Sequence, residues 1–132
     1  MKKVGFVLIL AVICLAVVLN GCGNGNNELL IIRDQMDIPA DKCSLMDDYL
    51  IIYETGCLHC EKVLPRLAQV EDELGMEFVE YNLAIEADYN KVTQDWEVLP
   101  QGVPAVIIGC KAYLGSGYSV EDFKQAVQAT SS

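Results

Sequence analysis

At 132 residues the chain has room for one domain, and 19 acidic against 9 basic side chains leave it with a formal net charge of −10. A surface that acidic repels phosphate backbones and anionic lipid, which excludes nucleic acid as a partner. Excess acid also keeps exported proteins soluble and carries no catalytic information, so the weight of a functional reading falls on the 6 cysteines.

Met1-Lys2-Lys3 is a positive start, and Val4 to Leu19 is an apolar run without a charge. With small residues at its exit this is the pattern of a secretory signal. The run is shorter than the ~20 residues of a membrane-spanning helix. The alternative is an uncleaved N-terminal anchor, and either reading puts the domain outside the cytoplasm and holds it to a membrane. Leu19-Asn20-Gly21-Cys22 resembles the lipobox of prokaryotic lipoproteins. That resemblance implies cleavage before Cys22 and lipidation of Cys22. Residues 1–21 are thus read as a signal peptide, 22–27 as a flexible Gly/Asn-rich tether with the lipidation site, and 28–132 as the folded domain.

Within the domain, Glu28 to Arg33 is a short apolar run flanked by charge, which predicts an edge strand. Asp34 to Asp48 has no sustained period and reads as loop with one helical turn around Cys43. Tyr49-Leu50-Ile51-Ile52-Tyr53 is a short run rich in β-branched and aromatic residues, as in a central strand covered on both faces. After a Thr55-Gly56 turn, Val63, Leu64, Leu67, Val70 and Leu74 recur at helical spacing, and Gly75 stops the helix. Pro65 lies inside it and predicts a bend.

Met76 to Leu83 reads as the next strand, and Asp88 to Glu97 as a second helix with Tyr89, Val92 and Trp96 on one face. Leu99 to Pro104 carries two prolines and a glycine ahead of the next apolar strand. Ala105 to Ile108 and Ala112 to Leu114, joined by Gly109-Cys110-Lys111, predict a β-hairpin. Ser119 caps a last helix, with Asp122 placed for a weak capping box and Val120, Phe123, Ala126 and Val127 facing inward. Strand–helix–strand–helix–hairpin–helix implies an α/β fold with a central mixed β-sheet flanked by helices on both faces.

Cys57-Leu58-His59-Cys60 stands where the central strand ends and the helix begins. Two thiols one turn apart there can close a small ring. The helix N-terminus favours a thiolate on the first through its unpaired N–H groups and dipole. Cys57 is the candidate nucleophile, Cys60 the buried resolving thiol, and His59, the only histidine, a group that tunes the thiolate. The competing reading is half of a structural zinc site, but no second Cys-x-x-Cys pair exists to complete it. Haem attachment would need His after Cys60, and Glu61 stands there. Cys14 leaves with the signal and Cys22 takes lipid, so four cysteines remain in an oxidising compartment. If Cys57 and Cys60 form one pair, Cys43 and Cys110 are left for each other.

The order of these parts from about Tyr49 to Ala129 resembles the thioredoxin superfamily. Cys57 and Cys60 match its dithiol, Pro65 its helix-kinking proline, and Val103-Pro104 its cis-proline. The resemblance implies a thioredoxin-like fold in which the Val103-Pro104 loop lies beside the sulfurs and receives the substrate chain. It also places Cys43 and Cys110 together at the pole opposite the active site, as a structural disulfide; two free buried thiols are the alternative. The chain departs from the family in having Gly56 where tryptophan commonly precedes the dithiol. Ile51 stands where many members bury an acid, so proton removal from Cys60 falls to water or a flanking carboxylate such as Glu54 or Glu61.

Function follows as an expectation: a membrane-tethered thiol–disulfide oxidoreductase, monomeric, without cofactor or metal. It would act on exported proteins bearing thiols or disulfides and be served by a membrane redox partner. His59 pushes the dithiol toward oxidant, and Glu54 and Glu61 push back, so direction stays open. The second expectation is an exported thioredoxin-like lipoprotein holding copper or zinc through Cys57, Cys60 and His59, against which counts that His59 and Cys60, adjacent on a helix, point apart. The third is a structural domain whose Cys57–Cys60 bond never turns over.

Overall fold

In the computed structural model, which describes residues 28–131, the chain is built around β2 (Tyr49–Tyr53). Its Leu50, Ile51 and Ile52 are all fully buried, because successive strand side chains point to opposite faces and both faces are covered. The signal segment, the tether, Cys14 and Cys22 lie outside the described residues.

β2 pairs in parallel with β3 (Val79–Asn82) and antiparallel with β5 (Ala105–Ile108), and β5 pairs antiparallel with β6 (Lys111–Leu114). The result is a mixed four-stranded sheet in the order β3-β2-β5-β6. A parallel pair needs a crossover, and α2 (Leu58–Leu74) supplies it, ending at Gly75 in the left-handed conformation. The β5–β6 turn has Gly109 and Cys110 at φ 55° and 68°, the positive values that a tight two-residue hairpin loop requires.

One sheet face presents Ile51, Val106 and Ile108 to Val63, Leu67 and Val70 of α2 and to Phe123 and Val127 of α4 (Val120–Thr130). Helix α4 starts with both halves of a capping box. Ser119 Oγ accepts from Asp122 N–H at 3.1 Å, and Asp122 Oδ2 accepts from Ser119 N–H at 2.8 Å. The other face presents Leu50, Ile52, Ala105, Ile107 and Ala112 to Ile32, Ile38, Val92, Trp96 and Val98. The structure is therefore α/β, with helices packed on the mixed sheet. No helix among the described residues is long and apolar enough to cross a membrane.

Four expectations are corrected. Between the second helix and β5, where the sequence predicts no strand, lies β4 (Val98–Pro100), which pairs in parallel with β1 (Leu30–Ile32) as a separate two-stranded ladder. Pro100 is tolerated because it ends the strand and the ladder resumes with Gln101 N–H donating to Ile32 O at 2.8 Å. Strand β3 is shorter than the Met76 to Leu83 run. The second helix begins earlier, as α3 (Glu86–Asn90), and runs into a π-helical turn, Lys91–Asp95. The i→i+5 bond from Trp96 N–H to Lys91 O rotates the residues beyond Lys91 against those before it. Val92 and Trp96 are consequently buried while Tyr89, expected on the same face, is 45% exposed. The helical turn at Cys43 is α1 (Ala40–Cys43).

Candidate active site

Where β2 ends, Cys57 N–H donates to Glu54 O at 3.2 Å and closes a four-residue turn. Gly56 sits in it at φ 86°, a conformation that side-chain-bearing residues rarely adopt. The turn delivers Cys57 as the N-cap of α2, with φ −82° and ψ 116°, and its Sγ accepts from Cys60 N–H at 3.2 Å. An otherwise unpaired helix-start N–H thus points at this sulfur, and such a donor stabilises negative charge there in the reduced form. Cys57 and Cys60 are joined as a disulfide with Cα atoms 5.2 Å apart. Cys57 is half-buried, whereas Cys60 is 1% exposed.

Across from this sulfur lies the loop entering β5. The Val103 carbonyl oxygen is 3.7 Å from Cys57 Sγ, and the Val103–Pro104 peptide bond is cis. Pro104 is buried, Val103 half-buried. The Pro104 carbonyl accepts from Gly115 N–H at 2.9 Å, which holds the loop against the end of β6.

His59 is exposed, and its Nδ1 lies 2.8 Å from Ser116 Oγ. Its hydrogen-bond partner is thus Ser116 rather than either sulfur. Two turns further along α2, Arg66 donates to the carbonyl oxygens of Ser116 and Tyr118, both at 2.7 Å. Together they tie the outer side of α2 to the segment before α4. Glu54 and Glu61, the flanking carboxylates, are both exposed. Ile51 is fully buried beneath the site, and the one buried polar or charged side chain among the described residues is Asn82.

Cys43 and Cys110 form a second disulfide, with Cα atoms 5.6 Å apart. Cys110 occupies the β5–β6 turn, so this bond lies at the far end of β5 from Val103 and Pro104. Near the Cys57 end, burial first, then the charges of Glu80 and Asp88, push the Tyr53 phenol above its ordinary value. It stays protonated and neutral at physiological pH. Among the described residues no group of three or more His, Cys, Asp or Glu is placed to hold a metal ion.

The structure thus brings Cys57, Cys60, Val103 and Pro104 together, sets His59 on their rim, and puts Cys43 and Cys110 elsewhere. Ser116, Arg66 and Asn82 were not singled out by sequence. Only Asn82 left a sign, as a polar residue closing an otherwise strand-like run. Comparison with known proteins gives no match to any family and none to a curated sequence.

Proposed function

We propose that the chain is a thiol–disulfide oxidoreductase with a thioredoxin-like domain, tethered outside the cytoplasm through a lipid on Cys22. The observation that carries this reading is the half-buried residue Cys57 at the head of α2, its sulfur bonded to a buried Cys60 and 3.7 Å from the Val103 carbonyl. An accessible disulfide at a helix start is of the labile kind, because the departing thiolate is stabilised as it forms. The Pro65 position within α2 and the mixed sheet order add support.

In the reduced protein the Cys57 thiolate attacks one sulfur of a substrate disulfide. That bond breaks, a Cys57–substrate disulfide forms, and the first substrate sulfur leaves as a thiolate and takes up a proton. Cys60, deprotonated, then attacks Cys57 Sγ, closing the Cys57–Cys60 bond and releasing the second substrate sulfur. Two electrons pass from the dithiol to the substrate, and the two protons of the dithiol end on substrate thiols. Run backwards, the same steps oxidise a substrate dithiol, and relative potentials set the direction. No cofactor takes part. Val103 and Pro104 receive the substrate chain, His59 tunes the thiolate, and a membrane redox partner resets the dithiol.

Replacing Cys57 with serine is expected to abolish both reduction of insulin disulfides and oxidation of a dithiol peptide. Retained activity overturns the reading. Stoichiometric copper or zinc on wild-type protein purified under reducing conditions would favour the metal-holding alternative. Cys22→Ser is expected to release the protein from the membrane fraction.

A further inference from the structure

Asn82 is 8% exposed and takes no part in the exchange steps themselves. It ends β3 directly beside Tyr53, the last residue of β2, and its side-chain amide spans the loops that leave these two strands. Nδ2 donates to Thr55 Oγ1 at 2.7 Å. Oδ1 accepts from Thr55 N–H at 3.2 Å and from Ala84 N–H at 3.1 Å. The backbone is held as well, with Asn82 N–H donating to Asp88 Oδ2 at 3.0 Å and Asn82 O accepting from Ile85 N–H at 2.9 Å. A buried amide engaged at both ends resists rotation, since turning it would leave donors facing donors.

Thr55 is the second residue of the turn that Cys57 N–H closes on Glu54 O. Packing does little to hold that turn: Glu54, Thr55 and Gly56 are all exposed, and a Cβ on Gly56 would meet nothing within 4 Å. Its anchorage to the sheet therefore runs through the two hydrogen bonds between Thr55 and the Asn82 amide.

We propose that Asn82 is a positioning residue for the exchange reaction. By pinning Thr55 it holds Cys57 at the head of α2, with the sulfur on the Cys60 N–H and facing the Val103 carbonyl. The inference rests on the thiol–disulfide reading of Cys57. Without the pin the turn drifts, the sulfur spends less time on its N–H donor, the thiolate binds its proton more tightly and attack is misaligned.

The test uses the full chain in reduced form and three measurements: the pH profile of Cys57 alkylation by iodoacetamide, the rate of exchange with glutathione disulfide, and the denaturation midpoint. Thr55→Val deletes one hydroxyl at an exposed position and keeps the β-branched shape; Asn82→Ala removes the whole pin. Both are expected to move the alkylation profile to higher pH. Exchange should slow by about threefold for Thr55→Val and about tenfold for Asn82→Ala, as loss of one and of several hydrogen bonds implies. The Thr55→Val midpoint should fall by less than the Asn82→Ala midpoint, because only the Asn82 Nδ2 donor loses its partner. A Thr55→Val protein with the wild-type profile and rate overturns the proposal, as does an Asn82→Ala protein that loses stability alone. Should Asn82→Ala fail to fold, Thr55→Val decides. Wild-type Cys57 inert to glutathione disulfide would remove the exchange reading itself, whereas an active wild type with unmoved variants removes only the role of Asn82.

Discussion

Two cysteines one helical turn apart differ in surroundings: Cys57 is half-buried and Cys60 is 1% exposed. On the proposed exchange reaction that asymmetry makes Cys57 the attacking and Cys60 the resolving thiol, and Cys60→Ser should accumulate a mixed disulfide between Cys57 and substrate, visible by intact mass under non-reducing conditions. Failure to trap any adduct would contradict the assigned order. The residues Cys57, Cys60, Val103 and Pro104 were readable from spacing and resemblance, because their types and order are local properties. The partner of His59 was not, since Ser116 reaches it from beyond β6. A second prediction at this scale concerns Tyr81. Burial first, then its hydrogen bond to Asp47, raises its phenol above the ordinary tyrosine value of 10.0. A group with a raised folded-state pKa contributes stability that is present below the unfolded value and lost as pH rises through the folded one. Tyr81→Phe should therefore lose part of the alkaline fall in denaturation midpoint above pH 10.0, measured side by side with wild type.

Helix α4 shows how far element-level signals carry. The Ser119 cap and the inward Phe123 and Val127 are set by spacing and short-range hydrogen bonding, and the helix forms where they place it. Ser119→Ala is expected to cost about 1 kcal/mol by chemical denaturation. Asp122 is held below the usual carboxylate range by the Ser119 backbone N–H and then its hydroxyl. A depressed pKa contributes stability that is present above the unfolded value and lost as pH falls through the folded one. Asp122→Asn should accordingly flatten the acid limb of the stability profile. Phe123, fully buried with the rings of Tyr113 and Tyr118 at 6.4 and 5.9 Å, should cost about 3–5 kcal/mol when cut to alanine. Strand β4 was missed for the opposite reason: three residues ending in proline carry too little pattern to declare themselves. Only β1, brought alongside from the start of the domain, makes them a strand.

Over the molecule as a whole, the two disulfides lie at opposite ends of β5. Cys43–Cys110 closes a sequence separation of 67 residues; cross-linking so long a loop restricts the unfolded chain. Replacing both with alanine is expected to lower stability by roughly 2–4 kcal/mol, read as a drop in denaturation midpoint with the Cys57–Cys60 bond intact. An unchanged midpoint would deny the bond its structural role. What the sequence by itself determined are features whose causes are short-ranged: the continuous apolar run of β2, the apolar stripe of α2, the dithiol at its start and the cap of α4. Tertiary structure alone decided the β1–β4 ladder, the exposure of Tyr89 beyond a π-helical turn, and the meeting of Asn82 with Thr55. That last contact exists because β2 and β3 run parallel with Tyr53 opposite Asn82. No local rule encodes it, since a hydrogen bond between distant residues is settled only when the strands carrying them are brought into register.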